Sequence, residues 1–121
     1  MEKGGFRELR VWQKGVELAV KIYKITGSGS FSKDYDLKGQ IRKAAVSIPS
    51  NIAEGDELGS NKQANRHFYI AKGSSAEVFT QALVAYRVGH ISEDVFANVE
   101  MDCGEISRML ANLIKARSTS P

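Results

Sequence analysis

QIRKAAVSIPSNIAEG, residues 40–55, holds the proline on which the fold turns. Ile41, Ala44, Ala45, Ile48 and Ile52 recur three and four residues apart, which keeps them on one face of a helix. Pro49 sits among them. A proline inside a helix has no amide hydrogen to donate and its ring crowds the preceding turn, at a cost of about 3 kcal/mol or more. The apolar stripe keeps its phase through it all the same. The stretch therefore reads as one helix kinked at Pro49, with Ser47, Ser50 and Asn51 placed to satisfy freed carbonyls. Two short helices broken at the proline are the alternative.

Helical periodicity continues on both sides. Upstream, Leu9, Trp12, Val16, Ala19, Tyr23 and Thr26 share one face of a helix over about residues 8–26, ended by Gly27-Ser28-Gly29-Ser30. The second helix starts near Asp34 or Asp36, either of which can cap it, spans about 35–54 and stops at Gly55. Downstream, Ser60-Asn61-Lys62-Gln63 matches a capping box opening a third helix over about 61–88. Phe68, Ala71, Ser75, Val78, Phe79, Ala82 and Tyr86 form its stripe and Gly89 its stop. Ser92 caps a fourth helix over about 93–116, with Glu93 and Asp94 in its first turn and Lys115 and Arg117 in its last, both favourable to the helix dipole. Nothing alternates like a strand. These elements predict an all-α protein, a single antiparallel up-down four-helix bundle over residues 1–121, with flexible ends at 1–5 and 118–121.

At 121 residues the chain is long enough for one core without staples. Its 26% charged and 42% hydrophobic residues are ordinary globular composition. No apolar run approaches the roughly 20 residues of a membrane span, and residues 1–5 hold no apolar leader core. A single cysteine, Cys103, allows no internal disulfide and falls in the fourth helix's core stripe, where packing is its expected role. Together these make the cytoplasm the expected location. His67 and His90 belong to neither His-Glu-x-x-His nor Glu-x-x-His, and phosphate-loop and dinucleotide glycine patterns are missing. The chain is expected to be no enzyme, with no cofactor, no metal and no small-molecule substrate.

Two helices carry more apolar surface than one core needs. On the first, Val11, Leu18, Ile22 and Ile25 make a second stripe, roughly 120° from the first at 100° per residue. On the third, Ile70, Val84 and Val88 lie almost opposite the main stripe, beside Gly73, Glu77 and Gln81. A contiguous exposed apolar patch marks an interface, so these ten residues are the expected contacts of a homo-oligomer. Glu77 and Gln81 read as hydrogen-bonding groups in it. Isolated surface valines and isoleucines are the plainer reading.

Charge is uneven along the chain. Residues 1–72 hold 13 Lys/Arg against 8 Asp/Glu, while residues 73–121 hold 4 against 6. Arg10 and Lys14 on the first helix, Lys38, Arg42 and Lys43 on the second, and Lys62 and Arg66 on the third are the candidate nucleic-acid contacts. Phosphate backbones favour such clusters through counterion release. No base-reading motif accompanies them. A protein-interaction module with an incidental basic face is the competing class.

Residues 40–55, quoted above, resemble the signature of the four-helix bundle family encoded in intervening sequences of bacterial 23S ribosomal RNA genes. Phe6-Arg7-Glu8-Leu9 with Val11-Trp12 is similar to its opening. Phe68, Ile70, Ala71, Gly73, Ser74 and Glu77 are similar to its third-helix motif, and Leu110 with Leu113-Ile114 to its ending. Ser32 stands where members commonly have proline, and Asp36 where they have glycine. Both departures fall on the entry to the second helix. The resemblance implies a bundle assembling into a ring, most often a pentamer, with no known catalysis. Related accessory proteins of diversity-generating retroelements are similar basic pentamers that associate with a reverse transcriptase and nucleic acid. The partners implied are therefore further copies of the chain, structured RNA or DNA, and a reverse transcriptase or other protein.

Overall fold

Pro49 lies inside an uninterrupted helix that runs from Tyr35 to Glu57. The computed structural model describes residues 5–58 and 60–119. A 3-10 turn, Gly5–Glu8, leads into α1, Arg10–Thr26. A second 3-10 turn, Ser30–Lys33, leads into α2, Tyr35–Glu57, followed by α3, Asn61–Arg87, and α4, Glu93–Ser118. The described residues contain no strand, and the protein is an all-α four-helix bundle. Of the expected ends, Gly5 opens the first turn and Ser118 closes α4, while residues 1–4 and 120–121 lie outside the described residues. Among the described residues no helix is long and apolar enough to cross a membrane.

Three helices start where a side-chain oxygen can take one of the amides that lack an intrahelical partner. Asp34 Oδ1 accepts from the Leu37 amide, Ser60 Oγ from Gln63 and Ser92 Oγ from Val95, each at 3.2 Å. Gly89, at φ 91, closes α3. Its amide donates to Tyr86 O at 3.1 Å and the His90 amide to Ala85 O at 2.8 Å, the paired bonds of a Schellman end. Gly55 departs from its expected role as a stop. The helix passes through it to Glu57, and a Cβ there would stand 3.0 Å from Ala64 O, His67 Cβ and Phe68 Cε1. This glycine lets α2 and α3 approach closely, and ends nothing.

Contacts between helices run in opposite directions along each neighbouring pair. Ser47 meets Ser74 at 2.9 Å and Asn51 meets His67 at 3.0 Å between α2 and α3. Ser75 Oγ donates to Cys103 O at 3.1 Å and Asn65 Nδ2 to Ser118 Oγ at 2.9 Å between α3 and α4. Lys14–Glu105, at 3.1 Å, and Lys21–Asp102 join α1 to α4. Four antiparallel neighbours thus surround a core of Leu18, Ile22, Ile48, Ile52, Phe68, Val78, Ile106 and Leu110, each worth about 1.5–3 kcal/mol of burial. Near Pro49, Asn51 Nδ2 bonds Ser47 O at 2.9 Å, one turn back. That carbonyl is not the one the proline frees, which belongs to Ala45.

The two stripes of α1 divide otherwise than expected: of the first, Ala19 and Thr26 are buried and Leu9 and Trp12 pack half-buried against the core, as expected. Val11, Leu18 and Ile22 are buried in the core, and Ile25 packs against it half-buried. Val16 and Tyr23, expected inside, are 36% and 47% exposed. Gly15 is the cause. A Cβ on it would lie 3.2 Å from Ile48 Cγ2 and 3.4 Å from the Pro49 ring. The glycine therefore marks the line along which α1 rests on α2, and it shares a face with Leu18 and Ile22. Pro49 supplies the flat surface that this close approach uses.

At the end of the bundle where α3 meets α4, His90 joins two loops. Its Nε2 lies 2.9 Å from Asp34 Oδ2, its Nδ1 2.8 Å from Ser30 Oγ, and Phe31 stacks on its ring at 5.1 Å. A carboxylate only accepts, so Nε2 carries the hydrogen here. His90 and the Leu37 amide together hold the Asp34 carboxyl below its ordinary 3.8, His90 more strongly. A carboxylate so depressed contributes stability that is present above the unfolded-state value and lost as pH falls through the lower folded-state value. Asp34→Asn should accordingly lower the urea midpoint at neutral pH, with the gap to the parent closing below pH 3.8. A gap that stays constant down to pH 2, roughly two units lower, would show that the charge of Asp34 does no work.

Candidate nucleic-acid interface

Lys62, Arg66, Tyr69 and Lys72 follow one another at spacings of four, three and three, which sets them along one face of α3. That face looks onto the last turns of α4. Ser60, Lys62, Asn65, Arg66, Tyr69, Arg117 and Ser118 line a shallow concavity of about 1130 Å³. A second, of about 470 Å³, adjoins it and is lined by Tyr69, Lys72, Ala111, Ile114, Lys115 and Ser118. Among the described residues no aspartate or glutamate lines either one. Asn65 fixes the two walls to each other, donating to Ile114 O at 3.3 Å and to Ser118 Oγ.

Four cations of this face, Lys62, Arg66, Lys72 and Lys115, form no ion pair with any described residue. Arg117 differs. It bonds Asp56 Oδ1 at 2.6 Å and lies over the Phe68 ring at 5.3 Å, holding the end of α4 to α2. The amino-terminal turn of α3 adds the positive end of a helix dipole. The arrangement is a concave positive surface whose charges are free to meet an anion.

Of the seven cations expected to contact nucleic acid, only Lys62 and Arg66 stand here. Lys14 is held by Glu105. Lys38 donates to Ser32 O at 3.2 Å and lies over the Tyr35 ring. Arg42 finishes α1: its Nε donates to Thr26 Oγ1 at 2.7 Å, its Nη2 to Tyr23 O at 3.3 Å, and its guanidinium covers the Tyr23 ring at 4.3 Å. A cation there also meets the negative end of the helix dipole. Lys43 is exposed beside Gln40, Glu77 and Gln81 in the α2–α3 groove, and Arg10 is exposed at the start of α1. The seven do not share one surface. Tyr69 and Lys72 continue the Lys62–Arg66 spacing and were legible from it; Lys115 arrives from another helix and was not.

A separate apolar face lies between α1 and α2. Val16, Val20, Tyr23 and Val46 are 36–49% exposed and, with Ala19, Lys24 and Pro49, line a groove of about 620 Å³. The expected α3 residues Ile70, Val84 and Val88 are exposed on the α2 side of their helix, with Gly73 and Glu77 exposed and Gln81 half-buried. Among the remaining polar groups, burial pushes the Cys103 thiol up to about 11, so it stays protonated at neutral pH. His67 lies against Asn51 and, at 3.7 Å, Glu54.

The chain is similar to a protein of unknown function from the S23 ribosomal protein family of Bacteroides thetaiotaomicron. The two are 26% identical and superpose with a TM-score of 0.79 over 87% of this chain and 98% of the other. No curated protein matches the sequence. The family model for the 23S rRNA-intervening sequence protein matches residues 7–112. Those residues take in all of α1, α2 and α3 and most of α4, together with the whole stretch from Gln40 to Gly55; the chain belongs to the 23S rRNA-intervening sequence protein family.

Proposed function

We propose that the chain is a non-catalytic homo-oligomer that binds structured RNA or DNA through the α3–α4 face. The observation that carries this reading is the set of four cations with no ion pair among the described residues, around two adjoining concavities lined by no described carboxylate. The helices succeed one another around the bundle, so the apolar α1–α2 groove lies on the opposite side. Copies that meet through that groove leave their cationic faces outward. In the five-membered ring that the family resemblance implies, each face is repeated around an axis. Weak phosphate contacts then reinforce one another through effective concentration.

The test is a titration of the assembled protein with an RNA hairpin and with duplex DNA at rising salt. Binding should weaken log-linearly. Four neutralised phosphates per protomer give a slope of roughly −3 to −4 on duplex DNA, at about −0.9 for each. Lys62→Glu, Arg66→Glu and Lys115→Glu should each lower affinity and flatten that slope, whereas Lys14→Glu, whose parent lysine is paired with Glu105, should act mainly on stability. Failure to bind either ligand at low salt overturns the reading and leaves a protein-interaction module.

A further inference from the structure

Tyr69 is the one tyrosine that the bundle leaves unused. Arg42 covers the Tyr23 ring, Lys38 lies over Tyr35, and Tyr86 stacks on Phe96 at 5.5 Å and bonds Glu93. Tyr69 is 62% exposed and has no ring, cation or hydrogen-bond partner among the described residues. It lines both concavities of the cationic face. Arg66 stands three residues before it and Lys72 three after, one turn away on either side. From Lys62 to Lys72 the helix rises about 15 Å, with Tyr69 about 10 Å along it and Lys115 across from it on α4.

An aromatic ring between cations that have no ion-pair partner and no acidic neighbour among the described residues is the arrangement that holds unpaired nucleotides: phosphates follow the charges and a base lies on the ring. A paired base has both faces occupied by its neighbours in the helix and cannot be offered this way. Charge alone favours the opposite choice, because a duplex carries the denser row of phosphates and releases more counterions for each contact. The ring therefore matters only if a base leaves the stack to meet it. We infer that Tyr69 is a stacking platform, and that the α3–α4 face selects unpaired nucleic acid, as a single strand or the loop of a folded RNA, over duplex. This rests on the nucleic-acid reading above and names its ligand class.

The experiment compares three labelled ligands of equal length by fluorescence anisotropy: an oligothymidylate, the same sugar-phosphate chain without bases, and a mixed-sequence duplex. The intact protein should bind the oligothymidylate most tightly. Tyr69→Ala should weaken that binding roughly 5- to 150-fold, the range of a lost base–aromatic stack, and leave the base-free chain unaffected. Tyr69→Phe should keep the parent affinity, since the ring and not the hydroxyl does the stacking. Lys62→Glu should weaken all three ligands. If the duplex binds as tightly as the oligothymidylate, or Tyr69→Ala changes nothing or weakens every ligand alike, stacking is overturned while electrostatic binding stands. If none of the three binds at low salt, both readings fall together.

Discussion

Leu18→Asp should leave no cooperative unfolding transition, whereas Val20→Asp, two residues along the same helix, should leave the fold intact and the assembly smaller. Leu18 is 1% exposed and Val20 is 49% exposed. Aspartate at Leu18 forfeits about 1.5–3 kcal/mol of burial and puts an unpaired carboxylate into the core, at several kcal/mol more. Against a total stability of about 5–15 kcal/mol, that removes the folded state. At Val20 the same residue meets water and costs only the difference in helix propensity, under about 1 kcal/mol. It also sets a charge beside Val16, Tyr23 and Val46, where a second copy is proposed to dock. Circular dichroism melts and light scattering on both variants check the pair. A folded, lighter Leu18→Asp would place that residue in the interface, and light scattering that finds the parent monomeric would remove the oligomer altogether.

Gly55→Leu should cost about 3 kcal/mol or more, while Gly39→Ala and Gly73→Ala should each gain up to about 1 kcal/mol. All three are glycines inside helices, where alanine has the higher propensity. They differ in what a side chain would meet. At Gly55 even a Cβ stands 3.0 Å from the Ala64 carbonyl, the Cβ of His67 and the Phe68 ring. The first of these is backbone and cannot turn aside. Three further carbons there must push α2 away from α3, and overpacking of this kind outweighs any gain in propensity. At Gly39 and Gly73 nothing lies within 4 Å, so alanine removes unfolded-state freedom at no steric cost. Urea unfolding of the three variants checks the order. A Gly55→Leu protein as stable as the parent would mean that the two helices are not held at that separation.

The starts of α2, α3 and α4 and the end of α3 were legible because their signals are local. Asp34, Ser60 and Ser92 cap by reaching an amide three residues on, and Gly89 takes a left-handed conformation that other residues resist. The stripe through Pro49 kept its phase because helical periodicity depends on neighbours along one chain. Gly55 was read as a stop by the same local logic and misread. Its reason lies on another helix, at Ala64, His67 and Phe68.

The sequence by itself determined that there are four helices, where three of them are capped, that α1 has two apolar stripes about a third of a turn apart, and that cations gather in the first 72 residues. Tertiary structure alone decided which residues of the two stripes face the core and which cations stay free. Periodicity measures an angle about one helix axis and has no knowledge of where the next axis lies. That position follows from close approach at Gly15 on Ile48 and Pro49, which turns Leu18 and Ile22 inward and leaves Val16 and Tyr23 outside. A charge likewise carries no mark of its partner. Lys14 is neutralised by Glu105 from 91 positions away, and Arg42 is spent on the end of α1. Lys115 joins Lys62, Arg66, Tyr69 and Lys72 only because α4 runs back along α3.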